Sequence, residues 1–106
     1  MKKMAWQEFK IACKYGQSKA TEKLIHKSTE FNIDLNARDE DGKTAFHFAC
    51  LSYGRKDVVE MMVNNADFFK IDLKAKDKDG KTGFQYAVDN FHAVMFPSWN
   101  PIILNI

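Results

Sequence analysis

Apolar residues recur along this chain with the spacing of helix faces. After Thr44, the positions Ala45, Phe46, Ala49, Cys50 and Tyr53 fall at i, i+1, i+4, i+5 and i+8, on one side of a helix. After Gly54, Val58, Val59, Met62, Val63 and Ala66 repeat the pattern. Upstream, Ala20, Leu24 and Ile25 stand in the places of Val58, Met62 and Val63, and Phe9, Ala12 and Cys13 in those of Phe46, Ala49 and Cys50. The unit predicted is helix, tight turn, helix and extended link. Gly16 and Gly54 suit the left-handed residue that closes a first helix. Thr44 and Thr82 each stand just before an apolar run, where a hydroxyl caps a helix. Ile33-Asp34-Leu35 and Ile71-Asp72-Leu73 alternate apolar and polar as short extended pieces do, and each leads to an Asp-Gly turn.

The unit is written twice almost verbatim. IDLNARDEDGKTAFHFA, Ile33 to Ala49, returns as IDLKAKDKDGKTGFQYA, Ile71 to Ala87, with 11 of 17 positions identical at an offset of 38. Chance would supply about one match, so the chain is a stack of like units and not a single irregular globule.

With the motif, the period and the two-helix layout in hand, the chain resembles the ankyrin repeat family. Its signature, G-x-T-P-L-H-x-A-A, a glycine turn and a second apolar helix, is met by Gly42, Thr44, Phe46, His47 and Ala49. Ala45 stands where proline is usual and Phe46 where leucine is; in the second copy Gly83 takes the proline place and Gln85 the histidine place. The resemblance runs from about Trp6 to Ala87. It implies an all-α solenoid of stacked helix-turn-helix units with short extended, β-hairpin-like fingers. It also implies that His47 ties a finger to a helix through Thr44 and neighbouring backbone, a role Gln85 can share because an amide also has a donor and an acceptor. The repeats exceed the usual length, mostly after the second helix, at residues 28–32 and 66–70.

Both ends depart from the pattern. Residues 1–32 are expected to be an N-terminal capping helix pair without a finger, with Gln7 where threonine would stand and Lys10, Lys14, Lys19 and Lys23 on a wet face. Residues 33–70 are expected to be a full repeat and 71–93 an incomplete one, its first helix running roughly from Thr82 to Ala93. Pro97 falls where the second helix should be and breaks it. Residues 94–106 then form an atypical apolar tail, expected to fold back through Phe96, Trp99, Ile102 and Ile103 over first-helix surface around Phe84, Ala87, Val88 and Phe91.

Composition narrows the function. A net charge of +2 with 45% apolar and 28% charged residues indicates neither a nucleic-acid binder nor a membrane-surface protein. No run is long and apolar enough for a span, and the N-terminus lacks the apolar core of a signal peptide. An intracellular, cytoplasmic address is expected, with the nucleus open. Cys13 and Cys50 sit in the same helical register and are expected to be small core residues; no ligand spacing links them to His26, His47 or His92.

Three chemical motifs are set aside on physical grounds. A-R-D-E-D-G-K-T (37–44) and A-K-D-K-D-G-K-T (75–82) fit a relaxed Walker A pattern, but their carboxylates would face the phosphates that such a loop cradles with backbone N–H groups. An EF-hand placed on Asp39, Asp41 and Gly42 puts Ala37 at its first position and Phe48 at its last, so the bidentate carboxylate is missing. No nucleophile stands at a recognisable spacing from His47.

The expected function is non-catalytic binding of another protein, with no cofactor, metal, small-molecule substrate, nucleic acid or membrane. The resemblance places the site on the concave surface of finger tips and first helices. The tips are Arg38, Glu40, Asp41 and Lys43, then Lys76, Lys78, Asp79 and Lys81. The helix positions are Phe48, Leu51 and Ser52, then Tyr86, Asp89 and Asn90. Arg38 and Lys43 against Asp39, Glu40 and Asp41 leave the first tip at −1; Lys76, Lys78 and Lys81 against Asp77 and Asp79 leave the second at +1. The alternatives are a truncated piece of a longer array with no activity of its own and, more remotely, nucleotide binding through the A-x4-G-K-T segments.

Overall fold

The computed structural model describes residues 2–51 and 56–91, with side chains described for 6–51 and 57–89. Five helices follow one another there: α1 (Lys2–Lys14), α2 (Ser18–His26), α3 (Ala45–Leu51), α4 (Lys56–Phe69) and α5 (Gly83–Phe91). No strand occurs among the described residues. The first helices form one layer, with α3 packed on α1 on one side and α5 on the other; α2 packs on α4 in a second layer.

The core lies between these layers and is filled by the positions that the periodicity picks out. Phe9, Phe46 and Phe84 take equivalent places in α1, α3 and α5, and all are buried. The rings of Phe46 and Phe84 meet edge to face at 5.2 Å, an arrangement favoured by the ring quadrupoles. Ile25, Val58, Val59 and Met62 close the core from the second layer. Cys13 and Cys50 are free thiols within it. Burial pushes Cys13 up to about 12 and Cys50 well above the ordinary thiol value, so both are small, inert hydrophobes. The Cys13 thiol lies 3.9 Å from the Met62 sulfur.

Several expectations take a more definite form. Gly16 has φ +70°, the left-handed conformation expected after a first helix. Gly54 and the tail with Phe96, Trp99, Ile102 and Ile103 lie outside the described residues. Phe84 and Ala87, which that tail was expected to cover, are buried, and the Phe84 ring meets that of Phe46. In the N-terminal pair, α1 runs through Gln7 without interruption, so the chain is helical where Thr44 and Thr82 start their helices. Of the four lysines expected on its wet face, Lys14, Lys19 and Lys23 are exposed and Lys10 is half-buried.

The extra residues after the second helices end in a shared device. Asn32 and Lys70, 38 positions apart, adopt φ +57° and +58°. The reversal lets Ile33 N–H reach the Ser28 carbonyl (2.8 Å) and Ile71 N–H the Ala66 carbonyl (2.9 Å). The chain then enters two fingers, residues 37–44 and 75–82. Each is closed by one backbone pair, Asp39 N–H to Lys43 C=O and Asp77 N–H to Lys81 C=O, both 2.9 Å. The fingers are therefore hairpin-like in closure while being built of turns.

Glycine is required at two places for different reasons. At Gly42, with φ +77°, a Cβ would lie 3.1 Å from Lys78 N and 3.3 Å from Asp77 Cα, because the second finger presses on the first. At Gly83 a Cβ would lie 2.6 Å from the Phe46 ring, so the helix start that holds Ala45 in one repeat must hold glycine in the next. Gly80 has φ +76° with nothing within 4 Å. Alanine at Gly80 should thus meet only the backbone penalty of about 1–2 kcal/mol and lower Tm by about 4–8 °C for each kcal/mol. Gly42→Ala should lower Tm further, because it also separates the fingers. Thermal unfolding followed by circular dichroism checks the order; equal losses would show that finger contact contributes nothing to stability.

Candidate partner-binding site

The two fingers are fastened to each other mainly through backbone groups. Lys78 N–H donates to the Asp41 carbonyl (2.9 Å). Arg38 Nη1 donates to the Lys76 carbonyl (2.5 Å). Behind them, Asn36 Nδ2 donates to the Lys70 carbonyl (2.9 Å) and Asn36 Oδ1 accepts from Asp72 N–H (2.8 Å). His47 completes the join from α3. Its Nδ1 accepts from Thr44 N–H (3.0 Å), which leaves Nε2 protonated to donate to the Lys81 carbonyl (2.9 Å). Gln85 repeats the first half, with Oε1 accepting from Thr82 N–H (2.8 Å). The expected role of His47 and Gln85 is thus present in the geometry.

Each finger is organised around its first aspartate. Asp39 Oδ1 accepts from Asp41 N–H and Lys43 N–H, both 2.9 Å. Asp77 Oδ1 accepts from Asp79 N–H and Lys81 N–H, both 3.0 Å. These are the amides a phosphate loop would turn toward its ligand, and here they are taken by the chain's own carboxylates. Asp77 goes further. Its Oδ2 accepts from the Tyr86 hydroxyl (2.5 Å) and pairs with Lys43 Nζ (3.4 Å), a lysine of the preceding finger.

The balance of effects on Asp77 sets its acidity. Burial would raise its pKa; the hydrogen bonds from Tyr86, from Lys81 N–H, from Lys43 and from Asp79 N–H outweigh it and hold the carboxyl at about 2. The same bond, followed by burial and nearby carboxylates, raises Tyr86 to about 12.

The anticipated site residues fall into distinct environments. Glu40, Lys76, Lys78 and Asp79 have exposed side chains at the tips. Asp41 is also exposed, although its backbone carbonyl is used by Lys78. Arg38 is exposed but reaches across to Lys76. Lys43 is half-buried against Asp77 and lies 5.8 Å from the centre of the Tyr86 ring; Lys81 stands 5.2 Å from that ring and pairs with Asp89 at 3.7 Å. Phe48, Leu51 and Tyr86 are half-buried. Ser52 lies outside the described residues, as does the side chain of Asn90.

Two contributors escaped the sequence reading. Trp6 and Lys10 of α1, with Gln7, line a cleft of about 590 Å³ whose other wall is Arg38, Asp39, Glu40 and Asp41. Lys10 Nζ lies 4.8 Å from the Trp6 ring and 5.6 Å from that of Phe48. The Trp6 indole N–H is buried without an acceptor among the described residues. The available signal was positional: Lys10 falls in the register of His47.

Helix pairs in two layers, joined by stacked turn-built fingers, define a helical repeat solenoid. Residues 9–96 match the family model for ankyrin repeats in three copies. The protein belongs to the ankyrin repeat family, a class of protein-binding modules whose members are typically non-catalytic. No curated protein sequence matches the chain. Among solved structures it resembles a chain of the complex between a predatory endopeptidase from Bdellovibrio bacteriovorus and an immunity protein. That match has 27% identity and a TM-score of 0.67 over 86% of this chain. The protein spans 43% of the matched chain's length. Among the described residues no helix is long and apolar enough to cross a membrane, and no group of three or more His, Cys, Asp or Glu could hold a metal ion.

The Asp77 network has a defined pH signature. A carboxyl held at about 2 when folded, against 3.8 ordinarily, contributes stability that is present above the ordinary value and lost as pH falls through the folded one. Tyr86→Phe removes the strongest donor and should move that loss to higher pH. Asp77→Asn should abolish this part of the pH dependence. Melting temperatures across the acid range check both; parallel curves for wild type and Tyr86→Phe would refute the role of the hydroxyl.

Proposed function

We propose that this protein binds a partner protein through one face, formed by the tips of the two fingers and the exposed sides of α1, α3 and α5. The reading rests on one observation above others: the fingers are locked together by Lys78 N–H, Arg38 and His47, so the side chains between them are held in place before any partner arrives. Preorganisation lowers the ordering cost of binding. Glu40, Lys76, Lys78 and Asp79 supply charge at the rim, and half-buried Phe48, Leu51 and Tyr86 supply apolar surface behind it, the arrangement of a polar rim around a hydrophobic centre. The sign change from the first tip to the second fixes the orientation of a partner of opposite polarity. The resembling chain from the Bdellovibrio bacteriovorus complex supports the reading, since its structure is an assembly of two proteins.

Tyr86 and Lys43 serve the fold as well as the face, so removing them would confuse the two roles. Photo-crosslinking avoids this. A crosslinking residue at Lys78 or Lys76 should capture another protein from lysate of the source cells, while the same residue at Glu22 of α2 or Asn64 of α4 should not. Capture only from α2 and α4 would place the binding face on the opposite side.

A further inference from the structure

The two fingers differ in what stacks on them. Besides the bond from Arg38 to the Lys76 carbonyl, the second receives three contacts from the first: Asp41 C=O takes Lys78 N–H, Lys43 Nζ pairs with Asp77 Oδ2, and the glycine between them, Gly42, lets the backbones close to contact distance. The first finger carries the same receivers 38 positions earlier, Glu40 N–H for Lys78 N–H and Asp39 Oδ2 for Asp77 Oδ2. Among the described residues neither has a partner. Asp39 Oδ1 holds its own turn as Asp77 Oδ1 does, which leaves Oδ2 over. Phe48 stands where Tyr86 stands in the next repeat, so no hydroxyl reaches that oxygen.

Both receivers belong to the wall of the cleft opposite Trp6, Gln7 and Lys10. The cleft occupies the place of a finger that α1 does not have, because that helix is continuous from Lys2 through Gln7. Its volume of about 590 Å³ lies within the roughly 300–1,000 Å³ of ordinary ligand clefts. The cations on its rim are engaged, Arg38 with the Lys76 carbonyl and Lys10 over the Trp6 and Phe48 rings. The carboxylates of Glu40 and Asp41 and the free oxygen of Asp39 are not. Ile11, in the place of Phe48 and Tyr86, is 45% exposed.

We infer that this vacant finger place is a docking slot for a lysine-bearing tight turn of a partner protein. The partner's backbone carbonyl accepts from Glu40 N–H, and the lysine two residues later places its ammonium on Asp39 Oδ2, with glycine between so that the two backbones can close. The occupant is thus x-Gly-Lys in a turn, the chemistry by which the first finger already binds the second. A second copy of this chain does not qualify as it stands, since its own finger carries α5 with it into the space of α1. The inference rests on reading the finger face as a protein-binding surface.

The test is an NMR titration of the full 106-residue protein with a peptide of residues 75–82, AKDKDGKT, cyclised through added flanking cysteines to hold its turn. Saturable shifts are expected at the Glu40 and Asp39 amides and the Trp6 indole. Lys81→Gln in the peptide, or Asp39→Asn in the protein, should weaken binding by about tenfold through loss of a charge-assisted hydrogen bond. Asp39→Asn keeps an oxygen for the Asp41 and Lys43 amides, so the turn survives. Glu40→Pro removes the other receiver at a turn position that proline favours. Absence of saturable shifts at Glu40, shifts centred on the second finger, or equal binding by the Lys81→Gln peptide would overturn the inference. Crosslinking from Lys76 and Lys78 reads the rest of the face, so failure there and failure here are separable outcomes.

Discussion

At Gly42 two turns of polypeptide meet with no side chain between them. The second finger approaches so closely that a Cβ on that residue would push it back by a few tenths of an ångström, and the approach places Lys78 N–H against the Asp41 carbonyl. Much else follows from this contact. Arg38 spans to Lys76 because the fingers are close, His47 reaches Lys81 because the fingers sit squarely over the helices, and Lys43 finds Asp77 for the same reason. Hydrogen bonds of this kind contribute only about 0.5–1.5 kcal/mol each. Their effect here is chiefly geometric: they hold exposed loops, which would otherwise be mobile, at one spacing.

The helices supply the other half of the order. Phe9, Phe46 and Phe84 repeat along the first layer, and the small residues between them let neighbouring helices approach. The limit of that approach is visible at Gly83, where even a methyl group would enter the Phe46 ring. Core and fingers therefore share a period, and a change in the spacing of one would misalign the other. Stability in such stacks is close to a sum of unit and neighbour terms, so each interface matters.

Much of the fold was legible in the residues. The aromatic and alanine spacing located the helices, Thr44 and Thr82 marked their starts, and the near-copy at Ile71 gave the period. The site was less legible, for identifiable reasons. The half-turn at Lys70 carries no signal, because lysine rarely adopts positive φ and only its register with Asn32 betrays it. Asn36 joins two repeats, yet its counterpart Lys74 cannot make the same bonds, so repetition hides it. Trp6 and Lys10 belong to the helix pair without a finger, and their importance comes from what is missing beside them. Tyr86 was expected on the concave face; its hydroxyl is held by Asp77, a contact no spacing rule predicts.

The course of α1 has a consequence for building with this protein. Ahead of α3 and α5 the chain forms a finger and bends into the helix at a threonine, Thr44 or Thr82, so that each helix follows on from an earlier unit. The first pair has no such bend, since its helix is already under way at Lys2. A repeat fused ahead of it would arrive along the helix axis, at the wrong angle to join the stack, unless the stretch before Glu8 were rewritten as turn and cap. Giving α1 a finger of its own would thus mean unwinding residues 2–7, the turns of helix that stand in a finger's register.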